Sequence, residues 1–488
     1  MRIYENMVGS DGENDIKCIY FALFFKINLT FVYNQPKTDR KMLLQFSIKN
    51  FKTFKDKATL SLIASNYDKD TREQENTISN DYFGLRLLKS AVIYGANASG
   101  KSKLLEAFAF MRYFVINSSK ESQKGETIEV EPFKLSTQTE NKQSEFEIIF
   151  VHKNVLYRYG FEATTDRIIS EWLYHKPKTK EVELFYREES TFNTHERSFT
   201  KGSTVVKEGL VRDNALLISV AAQFNEKTAI NVLDWFKRLK TLSGLKESGY
   251  QGFTMGKTED PKHKLKILEL LKAADLGIQD IELQKLDIES LPKGMPKELK
   301  DKLIREVREE KKEYVSDVLT KHKKYNEDLK AVGSINFSLE NDESSGTRKF
   351  FALTGPILDV IENGYTLIVD ELDSKLHPNL VCKIVSLFNS KEFNKKNAQL
   401  IFNTHDTNLL STGQFRRDQI WFTNKNKFGE AKLYSLADFK SDEVRKSDPF
   451  EDNYIRGKYG AVPFLGFFDN LNILLKENEG KKSSTKNG

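Results

Sequence analysis

The stretch from Ala91 to Phe110, AVIYGANASGKSKLLEAFAF, constrains the fold of this chain more than any other. An apolar, β-prone run at 91–94 is followed by the small-residue loop GANASGKS at 95–102. From Lys103 onward, apolar residues recur at helical spacing. This order of strand, glycine-containing loop and helix predicts a loop whose backbone N–H groups converge on a phosphate. The alternative is an ordinary turn built from small residues.

The residue types in this loop are those that a bound triphosphate requires. Gly95 and Gly100 let the backbone curl, and the start of the following helix adds partial positive charge. Lys101 would reach the β- and γ-phosphates, and the Ser102 hydroxyl would help to complete a Mg²⁺ shell. We therefore predict binding of a nucleoside triphosphate with Mg²⁺. The predicted nucleotide-binding residues are Gly95, Asn97, Ala98, Ser99, Gly100, Lys101 and Ser102.

Length and composition are those of a charge-rich, soluble protein. The chain has 488 residues, 39% hydrophobic and 30% charged, which allows a large core or two to three domain-sized units. Its net charge of +6 is mild and permits contact with nucleic acid without arguing for it. The two cysteines, Cys18 and Cys382, are too few for a disulfide framework or a cysteine zinc site, and they fit a reducing cytoplasm.

Residues 1–41 precede Met42, where the sequence reads like the start of a domain. The apolar stretch from Cys18 to Tyr33 is interrupted by Lys26 and Asn28, so its uninterrupted part is too short to cross a membrane. We therefore expect residues 1–41 to be an extension outside the fold, with no membrane contact. A short hairpin added to the domain is the alternative.

Strand patterns are predicted on both sides of the loop and its helix. Before the loop, apolar and polar residues alternate from Leu43 to Ile48, and a second run passes through Ala58 to Leu62. After the helix, polar turns separate several β-patterned runs, which predicts an antiparallel meander beside the nucleotide-binding strands. An unrelated β-domain is the alternative. The runs are Phe146–Val151, Leu156–Glu162, Ile168–Tyr174 and Glu181–Tyr186.

The middle of the chain is predicted to be mainly helical. Apolar spacing predicts helices over Ala215–Leu242 and Lys264–Ala274. The segment Glu298–Lys330 is dense in charge and has only a thin apolar stripe. We expect it to be a solvated helix of a lid, with a short coiled-coil arm as the alternative.

A Ser-Ser-Gly turn precedes a further helical stretch. It comprises Ser344, Ser345, Gly346 and Thr347 and leads into the apolar sequence FFALTGPILDVIEN. Hydroxyl groups, backbone N–H groups and a helix N-terminus are suited to an anion. The alternative is that one of the two serines only caps the helix.

Two runs that read as buried strands end in polar side chains. The apolar run 366–369 ends in Asp370 and Glu371, and the run QLIFN at 399–403 leads to His405. Ligands of open α/β sheets bind beyond the carboxyl ends of the strands. We expect Asp370 to help hold Mg²⁺, Glu371 to accept a proton from the attacking water, and His405 to contact a γ-phosphate or that water. Solvated acids and a structural histidine are the alternatives.

Taken in order, these features resemble the ABC-type ATPase heads, the superfamily of chromosome-maintenance and double-strand-break-repair ATPases. The resemblance covers 42–118 and 333–439. It implies ATP and Mg²⁺ as ligands and two heads that sandwich two ATP molecules. By analogy, Ser344–Thr347 would be the signature motif facing the partner's nucleotide, Asp373 would belong to the D-loop, and His405 would be the switch histidine. The signature departs from its usual form, since Glu343 replaces a leucine and Ser345 the first glycine.

The predicted fold is therefore α/β: a P-loop NTPase with an ABC-type two-lobed head, an antiparallel β subdomain and an inserted helical lid. We expect the first ATPase lobe to contain the phosphate-binding loop and the β meander, and the second to contain the signature, the Asp-Glu strand end and the switch histidine. The predicted boundaries are 1–41 for the extension, 42–205 and 331–445 for the two lobes, 206–330 for the helical insertion, and 446–488 for a C-terminal tail.

A closer resemblance is to compact bacterial AAA-annotated ATPases of anti-phage and abortive-infection systems. It implies an ATPase that hydrolyses ATP, associates with itself, and controls a separately encoded effector, a nuclease or a toxin. The stretches that carry the resemblance are LLQFSIKNFKTFKDKATLSL from Leu43, ESSGTRKFF from Glu343, ELDSKLHP from Glu371, RRDQIWFTNKN with LYSLADF from Arg416, and YIRGKYGAVPFL from Tyr454.

Two other functions remain open. The first is ATP-dependent binding and repair of DNA, as in proteins of the SMC-like class. The second is a scaffold or inhibitor of a toxin with slow ATP turnover. Candidate basic contacts to DNA, unless they only form a solvated face, are Lys311, Lys312, Lys321, Lys323 and Lys324.

Overall fold

The computed structural model describes residues 41–80, 83–120, 123, 125–287, 296–309, 314–440 and 442–463. Its strands form sheets of seven, six, three and two strands within these residues. The strands are β1 Lys41–Lys49, β2 Ala58–Ser61, β3 Thr77–Asn80, β4 Leu85–Leu88, β5 Ser90–Tyr94, β6 Ser144–His152, β7 Val155–Ala163, β8 Ile168–Lys176, β9 Val182–Glu188, β10 Thr191–Thr194, β11 Leu239–Ser243, β12 Ile278–Lys285, β13 Val315–Tyr325, β14 Ala331–Ser338, β15 Thr366–Asp370, β16 Gln399–Asn403, β17 Ile420–Lys425 and β18 Ala431–Ser435.

Helices pack on both faces of the six-stranded sheet. Within the described residues they are α1 Glu73–Asn76, α2 Lys101–Asn117, α3 Thr200–Lys207, α4 Leu217–Gln223, α5 Lys227–Arg238, α6 Ser248–Thr258, α7 Pro261–Ala273, α8 Lys297–Arg308, α9 Ser345–Asn363, α10 Pro378–Asn389, α11 Asn408–Ser411 and α12 Phe450–Ile455. In the same parts of the chain, no helix combines the length and apolar character needed to cross a membrane.

The six-stranded sheet, ordered β11-β15-β16-β5-β17-β18, forms the centre of the fold. Its strands pair in parallel except for the β17–β18 hairpin. Alternate residues of one strand enter two different cores: on β15, Ile368 joins the core that contains α2, whereas Leu367 and Val369 join the core that contains α9 and α10. Complete burial of such a side chain stabilises the fold by about 1.5–3 kcal/mol. Both faces are therefore apolar, as predicted for the strand before Asp370.

The predicted meander is confirmed as part of a seven-stranded sheet, ordered β10-β9-β8-β7-β6-β1-β2. All its strands pair antiparallel with their neighbours. Helix α2 packs between this sheet and the parallel sheet, and Phe108 on α2 stacks on Phe46 of β1 with 3.7 Å between ring centroids. The alternative of an unrelated β-domain is wrong, because the meander shares its core with the helix that follows the phosphate-binding loop.

The helical pattern predicted through Leu242 ends earlier in the structure, so this prediction is wrong for its last residues. Helix α5 ends at Arg238, and Leu239–Ser243 is the edge strand β11, which pairs in parallel with β15. The periodicity of apolar residues does not distinguish the two forms over five residues, and the pairing with β15 decides the outcome. The inserted region is therefore not purely helical and supplies a strand to the central sheet.

The prediction of one helix over Glu298–Lys330 is also wrong in its second half. Helix α8 ends at Arg308, and β13 then pairs with β12 and β14 in a three-stranded antiparallel sheet. Along β13, Val318 and Thr320 are buried two residues apart, which is the period of a strand. The candidate DNA contacts Lys321, Lys323 and Lys324 thus lie on a strand, whereas Lys311 and Lys312 lie outside the described residues.

The predicted extension 1–41 and the predicted tail 446–488 each include residues that belong to the folded core. Lys41 already belongs to β1, where it pairs with His152, so the strand begins before the predicted boundary. The start of the predicted C-terminal tail includes α12, whose Tyr454 is buried against Tyr94 with 5.6 Å between ring centroids. Residues 1–40 and 464–488, and with them the predicted extension and lysine-rich end, lie outside the described residues.

One buried amide connects the sheets. The side chain of Gln399 on β16 accepts a hydrogen bond from Leu43 N at 2.7 Å and donates to Leu43 O and Leu88 O, both at 3.0 Å. We expect Gln399→Leu to lower the free energy of unfolding by about 3 kcal/mol, because it leaves these buried backbone groups without partners. Chemical denaturation would measure the change. The matched control is Gln284→Leu on β12, where the side chain is exposed and little change is expected.

Candidate functional site

Three adjacent strands deliver the predicted site residues to one edge of the parallel sheet. Strand β16 pairs with β15 on one side and with β5 on the other, all in parallel. Their carboxyl ends therefore meet at the same edge. The loop 95–102 leaves β5 there, and Thr404 and His405 follow β16. Asp370 is the last residue of β15 and Glu371 follows it (together called the acids after β15).

The loop 95–102 wraps closely around the end of β5. Gly95 has φ +155°, and a Cβ there would lie 2.4 Å from Thr423 O. Gly100 precedes α2 with φ +114°, a conformation that side chains disfavour. The hydroxyl groups of Ser99 and Thr423 are 2.6 Å apart, which attaches the loop to β17. Both glycines are thus required by local geometry, and Asn97 and Ala98 remain exposed at the loop surface.

Lys101 lies under the loop rather than in solvent. Its ammonium donates to Gly95 O at 2.6 Å and to Ala96 O at 3.1 Å, and the residue is 5% exposed. Burial lowers the pKa of Lys101, while the charges of Glu371, Asp370 and Asp373 oppose that shift. The structure therefore brings this lysine near the acids that follow β15.

The two acids after β15 are held by the amide of a neighbouring strand. Asn403, fully buried at the end of β16, donates to Asp370 Oδ1 at 2.5 Å and accepts a hydrogen bond from the backbone N–H of Glu371. Asp370 and Glu371 are both partly exposed. Asn403 thus fixes the backbone at the acids without neutralising Glu371.

The loop after the acids, residues 371–376, has an unusual backbone. Glu371 and Lys375 have φ of 54° and 62°, in the left-handed region. Gly244, just after β11, donates to Asp370 O at 2.6 Å, and a Cβ there would lie 2.0 Å from Glu371 O. A glycine outside the predicted site therefore sets how closely β11 can approach Glu371.

His405 meets the same loop through its backbone. Its N–H donates to Asp373 Oδ2 at 3.1 Å, and its imidazole is exposed. The neighbouring Asp406 accepts a hydrogen bond at its carbonyl from Tyr94 OH at 3.2 Å. Burial raises the pKa of Tyr94, which keeps its hydroxyl a donor. The structure therefore joins His405 and Asp373, the predicted switch and D-loop residues.

The Ser-Ser-Gly turn begins α9, as predicted. Ser344 caps the helix by accepting a hydrogen bond from Thr347 N at 3.1 Å, so the alternative reading of a helix cap is correct for this side chain. Ser344 and Ser345 are nonetheless exposed. A Cβ on Gly346 would lie 2.8 Å from Lys375 O, so the turn lies against the loop after the acids. Within the described residues, no hydrogen bond or ion pair joins this turn to the loop 95–102.

Glu343, at the position where the predicted signature departs from its usual form, has specific partners. Its Oε1 accepts a hydrogen bond from Thr320 Oγ1 at 2.6 Å and lies 2.7 Å from His322 Nε2. Both partners lie on β13. A carboxylate at this position thus connects the three-stranded sheet to the start of α9.

Three residues near the site are not among those predicted from the sequence: Asn403, Gly244 and Lys349. Asn403 carries a readable signal, since it is a polar residue at the end of an apolar strand. Gly244 carries none, because its role depends on the pairing of β11 with β15. Lys349 is buried on α9 beside the loop after the acids, and its place depends on how that helix packs.

A family model described as "AAA domain, putative AbiEii toxin, Type IV TA system" matches residues 90–411, about two thirds of the chain. The match spans the loop 95–102, the turn 344–347, the acids after β15 and His405. No curated protein matches the chain significantly.

Several solved structures resemble the chain at low sequence identity. An Smc head bound to the C-terminal winged-helix domain of ScpA is 14% identical with a TM-score of 0.37, covering 80% of this chain and 97% of that one. The SMC head domain from Thermotoga maritima is 12% identical with a TM-score of 0.35, covering 80% and 98%. An Smc head with an extended coiled coil, bound to the C-terminal domain of ScpA and derived from Pyrococcus furiosus, is 13% identical with a TM-score of 0.36, covering 81% and 96%.

The close approach of Gly244 to Glu371 gives a test of the site geometry. We expect Gly244→Ala to lower the free energy of unfolding by about 1–3 kcal/mol, because the added methyl group forces a backbone shift. Gly249→Ala on α6 is the control, since a Cβ there meets nothing within 4 Å and alanine favours the helix. Equal stability of the two variants in denaturant titrations would contradict this geometry.

Proposed function

The chain belongs to this AAA-domain family, and we propose that it is an ATP-hydrolysing, ABC-type dimeric switch that gates a separately encoded effector in bacterial anti-phage defence. One observation carries the proposal. The loop 95–102, the acids after β15 and His405 share one edge of the parallel sheet, whereas the exposed Ser-Ser-Gly turn has no bond to that loop within the described residues. The exposed side chains of Ser344 and Ser345 are therefore accessible to the nucleotide of a second copy.

The proposed ATP site is the loop 95–102 with the start of α2. Its binding residues would be Gly95, Asn97, Ala98, Ser99, Gly100, Lys101 and Ser102. In the structure, the ammonium of Lys101 is bonded to the carbonyls of the loop itself. We expect the β- and γ-phosphate oxygens of ATP to replace these acceptors, because an anion interacts more strongly with an ammonium than a carbonyl does. The negative charge would also offset the burial of Lys101.

Mg²⁺ fits the oxygen groups at this edge. Within the described residues, no group of three or more His, Cys, Asp or Glu side chains could hold a metal ion. A magnesium ion bound with ATP needs few protein ligands, because phosphate oxygens and water complete its shell. Ser102 and Asp370 would be these protein ligands. The bound ion would neutralise negative charge on the phosphates.

Glu371 is the proposed general base. It would accept a proton from water as the water oxygen attacks the γ-phosphorus and the bond to the leaving ADP oxygen breaks, giving ADP and phosphate. The Asn403 bond to its backbone N–H and the left-handed φ would fix where this carboxylate points. The exposed imidazole of His405 would contact the γ-phosphate or the attacking water.

The second half of each site would come from a partner copy of the chain. Ser344 and Ser345 are exposed at the start of α9, where backbone N–H groups and the helix dipole favour a phosphate. The proposed signature, Ser344–Thr347, would therefore cap the nucleotide on the partner subunit. Asp373, which accepts from His405 N–H, would relay the state of one site to the subunit interface. Hydrolysis would open the dimer.

The proposal that the protein controls an effector is supported by its family and not by a particular feature of the fold. The description of the family names a toxin of a toxin–antitoxin system. A protein that closes with ATP and opens on hydrolysis is suited to hold or release such a partner, a nuclease or a toxin. Slow turnover that rises when the effector is added would distinguish a switch from a passive inhibitor.

ATP-dependent DNA binding is the second candidate. Lys321, Lys323 and Lys324 lie within four residues of one another on β13, next to the exposed ring of Tyr325. Lysines on an accessible strand can contact phosphates, and such binding weakens steeply with salt. Tight, ATP-dependent DNA binding that is lost when all three lysines are replaced by alanine would favour this function over effector control.

We expect Lys101→Ala to abolish ATP binding, because the main counter-charge for the β- and γ-phosphates is lost. Equilibrium binding of a fluorescent ATP analogue would measure the effect. Lys120→Ala is the matched control, since Lys120 is exposed beyond the other end of α2. Unchanged affinity in a folded Lys101→Ala protein would contradict the proposed nucleotide site.

We expect Glu371→Gln to bind ATP normally but hydrolyse it at least about 100-fold more slowly, because the general base is lost. The variant should accumulate as a closed dimer, visible as a doubled mass in solution with ATP and Mg²⁺. Glu392→Gln, at an exposed position, is the control and should keep the wild-type rate. Hydrolysis by Glu371→Gln at the wild-type rate would exclude Glu371 as the base, and a mass that does not change with ATP would exclude the sandwich.

A further inference from the structure

A buried lysine binds the backbone of the loop that follows β15. Lys349 is fully buried on α9, and its ammonium donates to Leu372 O at 3.0 Å, Glu371 O at 3.1 Å and Ser374 O at 2.5 Å. An ammonium has three donors, and all three are used on carbonyls of one four-residue loop. The side chain thus acts as a central support for that loop.

The backbone conformation of the loop brings these carbonyls together around the ammonium of Lys349. The left-handed φ of Glu371 and of Lys375 turn the intervening backbone around Lys349. Each such conformation costs free energy at a residue other than glycine, so it persists only where surrounding contacts hold it. Burial lowers the pKa of Lys349 to about 8, and the charges of Asp373, Glu247 and Glu371 oppose that shift while Lys375 adds to it. Lys349 therefore stabilises the backbone that carries Glu371.

The same lysine lies at the start of the helix that the Ser-Ser-Gly turn begins. Gly346 lies against Lys375 O, and three residues later Lys349 holds the rest of the loop. On the other side of the turn, Thr320 and His322 hold Glu343. A displacement of the turn would therefore move Lys349, and with it the carbonyl groups of the loop from Glu371 to Ser374.

We propose that Lys349 is a positioning residue that transmits the state of the turn 344–347 to the backbone of Glu371. This inference rests on the proposed function, in which the turn contacts the nucleotide of the partner subunit and Glu371 acts on the nucleotide of its own subunit. Occupation of one site would then set the geometry of the base in the other. Hydrolysis would be cooperative in ATP, and the cooperativity would depend on Lys349.

The test compares Lys349→Met with Lys375→Met. Methionine is unbranched like lysine and only one atom shorter, but it has no hydrogen-bond donors. Lys375 is an exposed lysine of the same loop, and its ammonium instead pairs with Glu247 at 2.7 Å. Two experiments are made on each variant: one measures amide hydrogen exchange of residues 371–376, and the other measures kcat, KM and the Hill coefficient of ATP hydrolysis.

For Lys349→Met we expect faster exchange in the loop, a kcat lower by on the order of 100-fold and a Hill coefficient near one. The KM should change less than about threefold, because Lys349 does not touch the loop 95–102. Lys375→Met should keep the wild-type exchange and kcat. A folded Lys349→Met protein with wild-type exchange, or with wild-type kcat and Hill coefficient, would overturn the proposal.

If Lys349→Met does not fold, Lys349→Arg replaces it in the same comparison. A planar guanidinium keeps the charge but cannot direct its donors as an ammonium does. We expect faster exchange in the loop and a lower kcat than in the wild type, and wild-type values for both would overturn the proposal. A wild-type protein that does not hydrolyse ATP would refute the proposed function, whereas the exchange data would still decide whether Lys349 holds the loop.

Discussion

Burial of the parallel strands on both faces decides where chemistry can occur in this protein. On β15 and β5, alternate side chains enter two separate cores, so neither face of these strands can carry a charged group without a large desolvation cost. Polar side chains and loops with free backbone N–H groups therefore gather where the strands end. The adjacency of β15, β16 and β5 then places the acids, His405 and the loop 95–102 together.

Contacts to the backbone, rather than ion pairs, organise this edge. Asn403 holds the N–H of Glu371, Gly244 donates to the carbonyl of Asp370, and Lys349 binds three carbonyls of the following loop. Because these bonds use main-chain atoms, they leave the Glu371 carboxylate available for its proposed role as a base. Such preorganisation lets a base act without first reorganising its surroundings.

The turn 344–347 is restrained from two sides. Thr320 and His322 of β13 bind Glu343 just before it, and Lys349 binds the loop after the acids just beyond it. A glutamate at position 343, where the sequence resemblance predicts a leucine, thus has a physical explanation, since a leucine could not accept these hydrogen bonds. The three-stranded sheet, the signature turn and the proposed base form one continuous set of contacts, although they lie far apart in sequence.

The sequence by itself determined the features that depend on neighbouring residues. The strand, loop and helix around Lys101, the meander from 144 to 188, and the positions of Asp370, Glu371 and His405 at strand ends follow from local periodicity and from glycine at particular places. The tertiary structure alone decided the rest. The sequence patterns of β11 and β13 predict helix, and no sequence pattern indicates the contacts that Gly244 and Lys349 make. Each of these depends on pairing or packing with residues distant in the chain, and such contacts override the weak local preference of a short segment.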